Sequence, residues 1–244
     1  MTESSDAPLS PTGLPHVGNH RHADVTGGWL RAATFGAMDG LVSNTALIAG
    51  VAATASADTV VISGVAGLLA GAFSMALGEY TSVTTANEQI ESEVVVEKKS
   101  FRRQPDAEVA ELVAIFTEMG LSPDTAAKAS EEIHRDEAKA LNFHLVQELG
   151  VHPEEKPSPW LAAGSSFALF AVGAIIPLIP YLLGYASLWA GLACGGAGLL
   201  LVGGVAATFT KRPPLLGGLR QFALGGVAIA VTYLVGYLIG VSVT

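Results

Sequence analysis

The chain has few charged side chains. Asp, Glu, Lys and Arg make up 14% of its 244 residues, whereas hydrophobic residues make up 50% and glycine occurs 28 times. Soluble domains carry roughly 25% charged residues. The composition therefore argues against a soluble globular protein and indicates a membrane protein.

Cysteine is nearly absent, and the common catalytic motifs are missing. Cys194 is the single cysteine, so the chain cannot form an internal disulfide, and we interpret it as a buried structural thiol. The sequence contains no nucleotide-binding loop, no catalytic-triad motif and no Cys-x-x-Cys pair. We therefore expect no enzymatic activity, no cofactor and no nucleic-acid partner. Without an ATP site, uphill transport would have to be coupled to an ion gradient.

Residues 1–28 lack the basic start and apolar core of a signal peptide. They are polar and rich in Pro and Gly, which predicts a disordered cytosolic tail. The tail holds His16, His20 and His22. A short solvated His cluster is more often incidental than a metal site, so we assign it no function.

Five apolar segments are long enough to cross a hydrocarbon core, which takes about 20 helical residues. Short connections join the first segment to the second and the third to the fourth, which predicts antiparallel hairpins. Pro177 and Pro180 should kink the third helix, because each removes a backbone donor. The predicted fold is an all-α membrane protein with transmembrane helices near 29–54, 59–84, 160–184, 186–209 and 214–241.

All 13 Lys and Arg residues fall on one side of this arrangement. The positive-inside rule then places the N-terminus and the 88–157 segment in the cytosol and the C-terminus outside. The predicted domains are the 1–28 tail, transmembrane helices one and two in 29–87, an acidic helical cytosolic domain in 88–157, and transmembrane helices three to five in 158–244.

The 88–157 insert carries most of the negative charge. Residues 88–156 hold 16 Asp and Glu against 8 Lys and Arg, a net charge of about −8 out of the chain's −9. One helix should begin at Pro105 and stop at Gly120, and a second stretch should begin after the N-cap Ser122, end at Gly150 and break near Arg135. The insert is therefore predicted to be a small all-helical domain.

Two acids are expected at depth in the membrane, Asp39 and Glu79. An ionised carboxylate in lipid costs several kcal/mol, so each should face the bundle interior or a water-filled path unless it lies at headgroup level. Met75 and Glu79 are four residues apart and share a helix face. A thioether beside a carboxylate suits Fe²⁺ or Mn²⁺ better than Ca²⁺ or Mg²⁺, although a methionine on an apolar helix is more often packing.

The insert offers several pairs of metal-ligating side chains one turn apart. A solvated acidic face is the plainer interpretation of any single pair, but it weakens when several helices offer such faces beside a membrane pore. A ferritin-like di-iron site would need two Glu-x-x-His motifs, and only Glu131-x-x-His134 is present. The other pairs are Glu88 with Glu91, Glu93 with Glu97, Glu108 with Glu111, and His144 with Glu148.

Several stretches together resemble the vacuolar iron transporter (VIT) family, including its bacterial members, over residues 29–241. They are "FGAMDGLVSN", "AGLLAGAFSMALGEYTS", "PDAEVAELVAIFTEMGLS", "FHLVQELGV" and "VGAIIPLIPY". The resemblance implies a homodimer of five-span subunits with a cytosolic helical metal-binding domain between spans two and three. It also implies export of cytosolic Fe²⁺, often with Mn²⁺, in exchange for protons.

The resemblance also implies functional residues. By position, Asp39 and Met75 match the family's intramembrane metal path, and its cytosolic site is matched by Glu97, Glu108, Glu111 and Glu148.

The chain departs from the family pattern at three places. Gly67 stands where a second-span Glu can occur, Ser100 replaces a cytosolic Glu, and His144 with Leu145 stands where a Met pair can occur. We hypothesise that Glu79 replaces the missing intramembrane acid. His144 would supply an imidazole ligand, which suits Fe²⁺ and Zn²⁺.

The predicted function is proton-coupled export of Fe²⁺ and/or Mn²⁺, with Zn²⁺ and Co²⁺ as further candidate ions, by a lipid-embedded homodimer in a bacterial plasma membrane. The alternatives are a membrane-anchored metal-binding or storage protein and a ferritin-like oxidase. We further predict that one helix runs without a break from Thr59 to Arg103 and joins the pore to the cytosolic site.

Overall fold

The computed structural model describes residues 29–52, 55–150 and 156–243. The predicted disordered tail 1–28 and its histidines lie outside the described residues. The described part is helical and contains no strand. In chain order the helices are α1 (Trp29–Ala52), α2 (Ala57–Arg103), α3 (Pro105–Glu118), α4 (Pro123–His134), α5 (Glu137–Leu149), α6 (Pro159–Ile175), α7 (Ile179–Leu182), α8 (Leu188–Phe209) and α9 (Pro214–Val243).

Five spans are long and apolar enough to cross a membrane, as predicted. They are α1, the membrane part of α2, α6 together with α7, α8 and α9. The third span is interrupted by a 3-10 turn at Ile176–Leu178, which contains Pro177 and precedes Pro180. The predicted kink is therefore confirmed, because these prolines cannot donate to the preceding helical turn.

Close backbone contacts hold α1 against α6. A Cβ placed on Gly40 would lie 2.2 Å from the carbonyl oxygen of Phe170, and one on Gly173 would lie 2.2 Å from that of Ala37. Glycine is required at this crossing, since any side chain would force the helices apart. Small residues let helices associate where lipid removes the usual hydrophobic drive.

The helix α2 is continuous over 47 residues, about 70 Å at 1.5 Å per residue. This is roughly twice the hydrocarbon thickness, and it confirms the prediction of one unbroken helix. The aromatic pair Tyr80–Trp160, with ring centroids 4.8 Å apart, lies about 35 Å along α2 from its start. Such pairs are typical of the membrane–water interface.

The insert forms three short helices, α3 to α5, as predicted. Its apolar core consists of Leu112, Phe116 and Ala126, with Ile133 and Phe143 packed against it. Ser122 and Asp136 cap α4 and α5 with their side-chain oxygens, and Gly150 ends α5 in a left-handed conformation with φ of 62°. These capping residues act within one turn, which explains why the sequence predicts the bounds of α4 and α5.

Candidate metal centre

The end of α2 and the start of α3 face each other because the chain reverses in one residue. Pro105 has no backbone N–H and disfavours a helical conformation in the residue before it. Gln104 accordingly leaves the helical region, with φ of −139° and ψ of 54°. This tight reversal brings Glu97 near the end of α2 close to Glu108 in the first turn of α3.

The third side of the site comes from α5, where His144 and Glu148 are one turn apart. The Nδ1 atom of His144 lies 3.5 Å from Oε1 of Glu97, 3.6 Å from Oε2 of Glu108 and 3.9 Å from Oε1 of Glu148. One donor atom each of Glu97, Glu108 and His144 can be chosen so that all lie within 4.8 Å of one another. A metal with bonds of about 2 Å holds opposite ligands about 4 Å apart, so a small inward movement would complete coordination.

Several of these donor atoms have no hydrogen-bond partner among the described residues. They are both ring nitrogens of His144 and Oε1 of Glu97, and the His144 side chain is 0% exposed. An unsatisfied buried polar atom costs about 1–3 kcal/mol. A bound cation would supply the missing partner.

The crowded carboxylates resist ionisation. Burial, followed by the neighbouring Glu108, raises the pKa of Glu97 to about 7. Burial, followed by a hydrogen bond and charge repulsion from Glu111, raises the pKa of Glu148 to about 8. Both groups therefore hold protons near neutral pH that a divalent cation would displace.

The imidazole of His144 is kept neutral. Burial lowers its pKa, the negative charge of Glu108 opposes this, and His134 lowers it further. A neutral imidazole has a lone pair to offer a metal. The site therefore combines one neutral nitrogen with several carboxylate oxygens, a donor set that suits Fe²⁺, Mn²⁺ and Zn²⁺.

Neighbouring residues hold the ligands in place. The hydroxyl of Ser100 donates a hydrogen bond to Oε1 of Glu108, so the serine at this position supports a carboxylate instead of supplying one. The ring of Phe101 stacks on that of His134 at an interplanar angle of 16°, and the ring of His144 is perpendicular to both, at 82°. Sequence reasoning missed these roles of Phe101 and His134, since they depend on contacts between helices.

The motif Glu131-x-x-His134 does not form a second metal cluster among the described residues. Nδ1 of His134 is 2.8 Å from the carbonyl oxygen of Ser130, while Glu131 is exposed and outside the cluster. This arrangement gives no support to the ferritin-like alternative.

The intramembrane acid Asp39 lines a separate pocket of about 230 Å³ between α1 and α2. The lining also contains Gly67, the position where a second acid is missing. The stretch "MDGLVSN" contains Ser43 and Asn44 as well as Asp39, but only the structure shows that these side chains line one pocket. The other lining residues are Ser43, Asn44, Leu47, Gly71, Ser74 and Phe170.

Met75 and Glu79 lie outside this set of lining residues. Met75 packs against the cluster of Ala72, Phe170 and Ala174. Glu79 is twelve residues beyond Gly67 on the same helix, about 18 Å away, and precedes Tyr80 of the interfacial aromatic pair. Its predicted role as a substitute for the missing acid at Gly67 stays a prediction.

Comparison with known proteins identifies the family of this chain. The VIT family model matches residues 30–237. The chain belongs to the VIT family. The family resemblance expected from the sequence motifs is therefore confirmed.

Individual VIT relatives match over most of their length. A "Vacuolar iron transporter" of Acanthamoeba castellanii is 34% identical over 92% of this chain and 84% of its own. A "Vacuolar iron transporter 1" of Oryza sativa subsp. japonica is 29% identical over 95% of both chains, and one of Arabidopsis thaliana is 29% identical over 96% of this chain and 94% of its own. These names describe transporters, which agrees with the expectation that the chain is not an enzyme.

Proposed function

We propose that this protein transports divalent metal, Fe²⁺ and/or Mn²⁺, out of the cytosol in exchange for protons. The observation that carries the proposal is the buried cluster of Glu97, Glu108 and His144. Its Glu97 lies on α2, the same continuous helix that lines the intramembrane pocket with Gly67, Gly71 and Ser74. A metal-collecting site and a polar opening in the membrane are thereby joined in one chain.

Capture would occur at the cytosolic cluster. The neutral ring of His144 offers Nδ1, and the carboxylates of Glu97, Glu108, Glu111 and Glu148 supply oxygens. Because Glu97 and Glu148 hold protons at neutral pH, metal entry releases protons into the cytosol. The excess of acidic residues in the insert also attracts cations to its surface.

Passage would follow α2 toward the membrane. Glu79 lies at the cytosolic mouth, Met75 lies one turn further in, and Asp39 lines the pocket. Protons arriving from the outer side compete with the metal for the carboxylate of Asp39. Protonation would therefore release the ion outward, and this competition couples the metal to the proton gradient.

The proposed assembly is a homodimer in a bacterial plasma membrane, with the N-terminus and the 88–157 metal-binding domain in the cytosol and the C-terminus outside. The distribution of Lys and Arg supports this orientation. Zn²⁺ and Co²⁺ are further candidate substrates, since imidazole and carboxylate ligands accept them as well.

A storage protein with a plain membrane anchor is the rival proposal. The pocket disfavours it, because an anchor gains nothing from an acid such as Asp39 placed in a polar pocket within a membrane span.

The deciding experiment is metal uptake into proteoliposomes that hold the full-length protein. Fe²⁺, Mn²⁺, Co²⁺ and Zn²⁺ would be offered with and without an acidic lumen, with Asp39→Asn beside the wild type. Asp58→Asn is the control, because Asp58 is an exposed acid at the start of α2. We expect proton-dependent uptake that Asp39→Asn abolishes and Asp58→Asn retains. Saturable metal binding without uptake would favour the storage protein.

A further inference from the structure

Asn44 is a buried amide in α1 with only half of its hydrogen-bonding capacity used. It is 2% exposed, and its Nδ2 donates to the carbonyl oxygen of Ala174 over 2.6 Å. Its Oδ1 is buried and has no partner among the described residues. The carbonyl of Ala174 can only accept a hydrogen bond, so this contact fixes which end of the amide faces α6 and leaves Oδ1 on the other side.

The free oxygen faces α2. A Cβ built on Gly67 would lie 3.3 Å from Oδ1 of Asn44, and both residues line the intramembrane pocket. The amide oxygen thus points to the position where this chain lacks a second-span acid. The atom nearest to that Cβ is Cδ2 of Leu47, at 2.4 Å, so the end of this flexible side chain, which also lines the pocket, would have to move for an ion to reach the oxygen.

The described side chains that line the pocket offer a metal ion only oxygen ligands. Its polar side chains are Asp39, Ser43, Asn44 and Ser74, and the remaining lining residues are apolar or glycine. The volume of about 230 Å³ exceeds the roughly 30 Å³ share of one water several-fold. It therefore has room for an ion that keeps part of its hydration shell.

We propose that Oδ1 of Asn44 is a direct ligand of the ion in this pocket, and that it forms with Asp39 an oxygen-only site bearing a single carboxylate. This inference rests on the transport function proposed above and adds the residue that shapes its selectivity. Carboxylate, carbonyl and water ligands suit Mn²⁺, whereas imidazole and thiolate ligands favour Zn²⁺. The pocket is therefore better suited to Mn²⁺, relative to Zn²⁺, than the cytosolic cluster with its imidazole.

Two substitutions separate the two ends of the amide. Asn44→Leu removes both the oxygen and the bond to Ala174. Asn44→Asp removes the bond to Ala174 but keeps an oxygen at the same place. Thr45→Val is the matched control. Thr45 is the next residue, is also buried, and its hydroxyl has no hydrogen-bond partner within the part of the chain that the structure describes. It packs on Gly195 of α8 instead of facing α2.

The measurement is the initial rate of Mn²⁺ and Zn²⁺ uptake by full-length protein in proteoliposomes, together with Mn²⁺ binding to the detergent-solubilised protein. We expect Asn44→Leu to slow Mn²⁺ uptake by about tenfold or more, comparable to the loss of a metal's supporting residue, while binding at the cytosolic cluster is unchanged. Asn44→Asp should retain most Mn²⁺ uptake, and Thr45→Val should match the wild type.

Wild-type uptake rates in Asn44→Leu would overturn the inference and leave the transport function standing. So would equal losses in Asn44→Leu and Asn44→Asp, since the bond to Ala174 would then be what matters. Should Asn44→Leu not fold, Asn44→Asp decides alone. Retained Mn²⁺ uptake would then support Oδ1 as a ligand, and a loss of uptake would contradict it. Absence of uptake by the wild type would remove the transport function and this inference with it.

Discussion

At the scale of single residues, His144 is the side chain that distinguishes this site. Its ring is fully buried and perpendicular to the stacked rings of Phe101 and His134. This packing holds the ring so that Nδ1 faces the carboxylates of Glu97 and Glu108. A ligand held by packing loses little conformational entropy when the metal arrives.

Replacing His144 by Ala should weaken metal binding by at least about tenfold. The variant loses the one nitrogen donor and leaves carboxylates that repel one another. The measurement is a Mn²⁺ or Zn²⁺ titration of the full-length protein in detergent. Glu118→Gln is the control, because Glu118 is an exposed acid of α3 outside the cluster. Equal affinities for wild type and His144→Ala would remove His144 from the ligand set.

Metal affinity should rise with pH through the range from about 7 to about 8. The pKa values of Glu97 and Glu148 lie at about 7 and about 8, so protons occupy the site below this range and leave it above. Calorimetric titrations at pH 6, 7 and 8.5, each in two buffers of different ionisation enthalpy, would count the protons released. A pH-independent affinity would contradict these protonation states.

The metal-free protein should lose stability as pH rises from about 4.5 to about 8. Both carboxyls have folded-state pKa values above the ordinary 4.5, so their contribution is full below about 4.5 and disappears as pH rises through about 7 to 8. Thermal unfolding in detergent should therefore show a melting temperature that falls toward alkaline pH, and added Mn²⁺ should reverse the fall. A melting temperature that rises across this range would contradict it.

At the scale of helices, sequence alone predicts what depends on local chemistry. The ends of α3, α4 and α5 follow from Pro105, Ser122 and Gly150, whose effects act within one turn. The approach of Glu97 to His144 depends on packing between distant helices, and composition or spacing could not show it. The family resemblance supplied the carboxylates of that set. The roles of Asn44 and Phe101 needed the structure itself.

The crossing of α1 and α6 should not tolerate a side chain at Gly173. A Cβ there would meet a backbone oxygen at 2.2 Å, and overpacking of this kind costs about 1–3 kcal/mol or more. Gly173→Val should therefore lower the melting temperature in detergent. Gly164→Val is the control on the same helix, because nothing lies within 4 Å of that site. Similar melting temperatures for the two variants would show that the close crossing is not needed.

The half of α2 beyond Tyr80 should need to remain helical for the proposed transport. Ser92 is an exposed residue between the membrane and Glu97, and a proline inside a helix costs about 3 kcal/mol and kinks it. Ser92→Pro should reduce metal uptake into proteoliposomes while Ser92→Ala leaves it unchanged. Full uptake by Ser92→Pro would show that the two sites do not depend on an intact connection.

At the scale of the whole molecule, the proposed orientation rests on the charges and the membrane spans together. An odd number of spans puts the two ends of the helical bundle on opposite sides, and the acidic insert with the basic residues near it defines one of those sides.

Two contacts between α2 and the segment before α6 fix the insert to the bundle. Lys156 pairs with Glu91 over 2.8 Å, and Asn87 donates to the carbonyl of Pro157 over 3.0 Å.

Single cysteines introduced on the two sides should differ in access from outside the cell. In a background with Cys194 replaced by Ala, Glu118→Cys should resist a membrane-impermeant maleimide in intact cells. Tyr185→Cys, at the exposed turn before α8, should react with it. The opposite pattern would reverse the orientation and with it the proposed direction of transport.

Because α2 is unbroken, the number of residues between Tyr80 and Glu97 sets the direction in which the helical insert faces. Each residue added or removed between Tyr80 and Glu97 would turn the domain by about 100° around the helix axis and shift it by about 1.5 Å. A change of seven residues would come back to within about 20° of the original direction. An insertion or deletion in this segment therefore acts as a rotation. Only changes close to whole helical turns, such as about 7 or about 11 residues, keep the metal cluster facing the same side of the bundle.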